Sequence, residues 1–166
     1  MILGMSLSMF VTVHVIISLI GIVAGIIVMF GMLGSNRMPG LTAIFLLFTI
    51  LTSATGFLIP PLVSEKLLPS HIIGALSLVL LAVACFALYG QKLSGGWRWI
   101  YVLTALSSLY LNVFVLVIQS FLKVPALHAL APSEPPFAIA QGIVLVFFVI
   151  MIIGALRRYR PIPAFA

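Results

Sequence analysis

The chain has 166 residues, 64% hydrophobic and 6% charged, with a mean hydropathy of +1.39. Soluble domains hold roughly 45–50% apolar and about 25% charged residues, so a water-soluble fold is excluded. The net charge of +6 has no soluble surface on which to form a nucleic-acid patch, and the single Cys85 rules out an intrachain disulfide or a cysteine-based zinc site.

Only Arg37, Glu65, Lys66, Lys92, Arg98, Lys123, Glu134, Arg157, Arg158 and Arg160 are charged, and they leave five uncharged runs: 1–36, 38–64, 67–91, 99–122 and 135–156. A helix needs about 20 apolar residues to cross the hydrocarbon core of a bilayer, so each run is long enough to span once. Breakers fall between the runs, at Gly34-Ser35-Asn36 with Pro39-Gly40, at Pro60-Pro61 to Pro69, at Ser94-Gly95-Gly96 and from Pro125 to Pro136. The predicted helices are 8–33, 41–62, 70–91, 98–122 and 137–157. The expected fold is an all-α integral membrane protein, a single domain over 1–166 forming a five-helix up-down bundle, because lipid leaves backbone groups no other partner.

The first predicted helix has no charged n-region and no cleavage-site pattern, so it is read as a retained span. With five spans, Arg37, Lys92, Arg98, Arg157, Arg158 and Arg160 fall on one side and Lys66 and Lys123 on the other. The positive-inside rule then places the N-terminus outside and the C-terminus in the cytoplasm. Trp97, Trp99, Tyr101 and Tyr159 are expected at the cytoplasmic headgroup level. The chain resembles in style the small polytopic inner-membrane proteins of bacteria, with no motif that identifies a family.

Within the first span His14, Ser18, Gly21 and Gly25 share a face roughly 60° wide, and GIVAG at 21–25 fits a close helix contact. The second span carries Thr42, Thr49, Ser53 and Gly56 on one side, and the third carries His71, Gly74, Cys85 and Tyr89. Ser18, Gly21, Gly25, Ser53, Gly56 and Gly74 are the expected packing positions. The fourth span aligns Tyr101, Thr104, Ser108, Asn112, Gln119 and Lys123 within about 100° of arc. This stripe suits either an interhelical hydrogen-bond seam or the lining of a polar path. The fifth span has only Gln141, Gly142 and Gly154 among aliphatic and aromatic residues, and is expected at the periphery or against a partner.

In this orientation His14, His71, His128, Glu65 and Glu134 all lie on the outer side. His14 and His71 could ligate a b-type haem or hydrogen-bond a quinone, and with His128 and Glu134 they could hold a transition metal. The proline-rich outer loop 123–136 is expected to fold back as a rigid lid carrying Glu134. The sequence shows no Walker A, HExxH or GxSxG pattern, and no Asp, Glu, Lys or Arg deep in a span of the kind ion-coupled transport uses. The leading expectation is therefore a non-catalytic structural or accessory subunit, with the lipid bilayer and a membrane-protein partner or second copy as its partners. The alternatives are an outer-leaflet haem, quinone or metal protein and a small transporter or channel.

Overall fold

A computed structural model of the protein describes residues 4–58, 69–123 and 135–160. These residues form α1 (Leu7–Leu33), α2 (Pro39–Leu58), α3 (Pro69–Cys85, continued by a π-helical turn at Phe86–Gly90), α4 (Trp97–Lys123) and α5 (Pro135–Arg158). All five helical segments are long and apolar enough to cross a membrane. Residues 59–62 of the second predicted span lie outside the described residues.

Local signals set the helix ends. The Ser6 hydroxyl accepts from the Met9 N–H and starts α1. At the other end Gly34 N–H and Asn36 N–H both donate to the Gly31 carbonyl, closing the helix before Pro39 opens α2. The sharp connection holds Ser35 and Met38 at positive φ, 58° and 44°. Left-handed backbone disfavours side chains with a Cβ, and here Met38 is held by packing its thioether against Gly31.

Neighbouring helices run antiparallel. His14 meets Thr55, while Gly21 meets Thr49 and Gly25 meets Phe45 between α1 and α2. Gly74 meets Phe57 and the Ser53 carbonyl between α3 and α2, and Tyr110 meets Phe148 between α4 and α5. Helix α4 touches all four others, whereas α5 packs only on α1 and α4 among the described helices. The core lies where these faces meet and includes Met29, Met32, Phe45, Leu81, Val102, Leu106 and Leu109.

Glycine is required where α1 crosses its neighbours. A Cβ at Gly25 would sit 2.7 Å from Leu109 Cδ1 on α4 and 2.8 Å from Phe45 Cδ1 on α2. On the outer face of α5, Ile139, Ile143, Val146, Ile150 and Ile153 are all exposed at alternating spacings of four and three. In a membrane such a face carries no hydrophobic penalty, so it is open to lipid tails or to another helix.

Candidate functional site

The polar stripe of α4 turns into the bundle from Tyr101 to Asn112. Tyr101, Thr104, Ser108 and Asn112 are buried, and Gln119 is half-buried; the Lys123 side chain is outside the described residues. Thr104 donates to the Ile100 carbonyl and Ser108 to the Ala105 carbonyl, each at 2.7 Å. Such bonds to the helix's own carbonyls satisfy a hydroxyl without water. Asn112 has no such local option, and Ser18 on α1 donates to its Oδ1 at 3.2 Å. Gln141, buried on α5, donates from Nε2 to the Phe114 carbonyl at 3.2 Å.

The expected outer histidines bracket the end of α2. His14 Nδ1 lies 2.7 Å from Thr55 Oγ1, and Thr55 Oγ1 lies 2.7 Å from the Leu51 carbonyl. A carbonyl only accepts, so the threonine proton goes to Leu51 and His14 Nδ1–H is the donor to Thr55. His71 is buried against the Phe57 ring, with centroids 5.7 Å apart. The two histidines sit on α1 and α3, helices whose backbones make no close approach among the described residues. Among the described residues no three His, Cys, Asp or Glu side chains gather as a metal cluster. His128, Glu134 and the expected lid at 124–134 lie outside the described residues.

A cavity of about 80 Å³ opens at the opposite end of the bundle, lined by Arg37, Pro39, Thr42, Leu88, Tyr89, Tyr101 and Tyr159. Three local features build it. The strained turn at 35–38 presents Arg37, half-buried, just before α2. The π-helical turn closing α3 places Leu88 and Tyr89 on the cavity wall, in keeping with the frequency of π-turns at functional sites. The third feature fixes the end of α5: Arg98 Nη1 donates to the Tyr159 carbonyl at 2.6 Å and the Leu156 carbonyl at 3.2 Å. A guanidinium there satisfies carbonyls left over at a helix C-terminus.

Inside the cavity Thr42 donates to the Arg37 carbonyl at 3.1 Å, and Tyr101 lines the same wall. Tyr159 stacks obliquely on Tyr101, with centroids 6.2 Å apart. Burial pushes the Tyr159 hydroxyl above the ordinary tyrosine range, and the nearby Arg37 charge opposes that shift. The cavity thus holds one cation and several neutral hydroxyls.

Sequence reasoning treated Arg37 as a topology marker and Tyr101 and Tyr159 as headgroup-level rings. In the structure Tyr101 and Tyr159 are 1% and 2% exposed. Likewise the third span, read as one α-helix over 70–91, changes to π geometry at Phe86. The available signal was that Arg37, Tyr89, Tyr101 and Tyr159 all flank span ends on one side. Comparison with protein-family models, curated proteins and solved structures gave no match to this chain.

Proposed function

We propose that the protein is a non-catalytic, five-span membrane protein of a bacterial-type cytoplasmic membrane. In this reading the bundle is up-down with its N-terminus outside, and the protein serves as a structural or accessory subunit that meets a partner or second copy through α5. The supporting observation is the division of labour among side chains. Polar groups of α1 and α4 bond inside the bundle, as Ser18 does with Asn112, while α5 turns an aliphatic row from Ile139 to Ile153 outward.

The test is cross-linking in native membranes from a single cysteine at Val146, introduced in a Cys85→Ala background. The expected product is a discrete adduct with one membrane protein or with a second copy. A chain that stays monomeric from Val146 and from Ile150 counts against the accessory reading.

A second reading, a redox or cofactor protein acting at the His14 end, draws on the orientation of His14 by Thr55. Holding one ring nitrogen with a hydrogen bond is how proteins orient an imidazole whose other nitrogen binds a ligand. Visible spectra of the purified protein, oxidised and reduced, together with metal analysis, decide it. A colourless, metal-free preparation unchanged by added quinone eliminates this reading.

A further inference from the structure

The end of the bundle that holds the cavity carries Arg37, Lys92, Arg98, Arg157, Arg158 and Arg160, and no acidic residue lies among the described residues. This end of the bundle therefore attracts anions.

The six cations are not equivalent. Arg98 is committed to the carbonyls of Leu156 and Tyr159, and Arg157, Arg158 and Arg160 are exposed. Arg37 alone among them lines the cavity, together with Tyr89 and Tyr159, and its charge acts on the Tyr159 hydroxyl. A guanidinium presents five N–H donors in a planar fork suited to phosphate, and phenolic O–H groups add neutral donors. The cavity volume of about 80 Å³ is that of about five waters, at roughly 15 Å³ each by the same measure, and so admits a compact oxyanion. Tyr89 and Pro39 at the rim are exposed, so the cavity meets the surroundings of the bundle. Further along the same helices, Ile44 and Leu47 on α2 and Val79 and Phe86 on α3 are exposed apolar side chains.

We propose that this cavity is a binding site for the phosphate of an anionic phospholipid, with Arg37 as its charged contact and Tyr159 and Tyr89 as hydrogen-bond donors. The acyl chains lie outside, against the exposed aliphatic flanks of α2 and α3. The site is distinct from the α5 face and does not depend on which side of the membrane it occupies. The strained Ser35 and Met38 backbone and the π-turn are the devices that bring Arg37 and Tyr89 to the same space.

Native mass spectrometry of the full chain in detergent, titrated with phosphatidylglycerol, phosphatidylcholine or inorganic phosphate, tests the site. The wild type is expected to retain phosphatidylglycerol about tenfold over phosphatidylcholine, and Arg37→Gln to remove that preference, as expected for loss of a charged hydrogen bond. Arg158→Gln, at an exposed cation outside the cavity, should leave it unchanged. Equal losses in Arg37→Gln and Arg158→Gln would show diffuse attraction to a basic surface and overturn the proposal. Displacement of the lipid by equimolar inorganic phosphate would overturn the lipid assignment. If Arg37→Gln lacks the helical circular dichroism of the wild type, Arg37→Lys and Tyr159→Phe take its place. Each should weaken phosphatidylglycerol binding severalfold, and unchanged binding in both overturns the site.

Discussion

Asn112 accepts a hydrogen bond from Ser18 across the α1–α4 contact, while its own amide nitrogen has no partner among the described residues. A buried amide with one unmet donor is a poor contributor to stability, because its desolvation offsets much of the bond it makes. Asn112→Leu is therefore expected to change bundle stability by less than about 1 kcal/mol, or to raise it. A double-mutant cycle with Ser18→Ala should return a coupling of about 0.6 kcal/mol. Both are measurable by denaturant unfolding in detergent. A large loss of stability, or loss of a solute flux with the fold intact, would assign the amide a role beyond packing.

The three-helix crossing at Gly25 gives a second expectation. Gly25→Ala places a methyl within 3 Å of both Leu109 and Phe45 and should destabilise the bundle by about 1–3 kcal/mol through overpacking. Gly142→Ala on α5 meets nothing within 4 Å, and should be neutral or slightly stabilising because alanine is the better helix former. Comparable melting shifts for the two variants would mean that α1 does not pack at Gly25 as described.

Arg98 ties the end of α5 to the start of α4. Removing it as Arg98→Gln leaves the Tyr159 and Leu156 carbonyls without their charged donor, an expected loss of about 1–3 kcal/mol. The change should be local. Hydrogen exchange of amides 155–160 is expected to accelerate while that of α2 stays constant, and uniform acceleration would show that the contact supports the whole bundle instead.

Tyr159 links stability to alkaline pH. Its hydroxyl is pushed upward by burial, so between the unfolded tyrosine value of about 10 and the higher folded value the folded state holds the extra proton. Stability then falls as pH rises through that window and is flat below it. Tyr159→Phe should show a shallower decline in melting temperature between about pH 9 and pH 11 than the wild type. Identical slopes would show that the ring titrates freely.

The five spans are legible in the sequence because charge is so costly in hydrocarbon that the positions of ten charged residues punctuate the chain. Gly21 and Gly25 are legible for a related reason, since close approach in lipid needs small residues at helical spacing. The π-turn at Phe86–Gly90 is not, as Phe-Ala-Leu-Tyr-Gly has no residue that α geometry rejects in a helix's last turn. Nor is the cavity, whose walls come from residues 37–42, 88–89, 101 and 159, four segments joined only by tertiary packing. The His14–Thr55 contact belongs to the same class, because periodicity places a side chain on a face and does not name its partner across the interface.

Among the described helices α5 packs only on α1 and α4, and this bears on how the protein is made. The chain leaves the ribosome in the order of its helices, and α2 and α3 can each dock on the segment synthesised just before. The groove that receives α5 exists only once α4 has met α1. Addition of the last span completes the wall of the cavity, because Tyr159 lines it together with Arg37. A chain without residues 135–160 would have the Arg37 turn but not Tyr159, and so only part of the pocket wall.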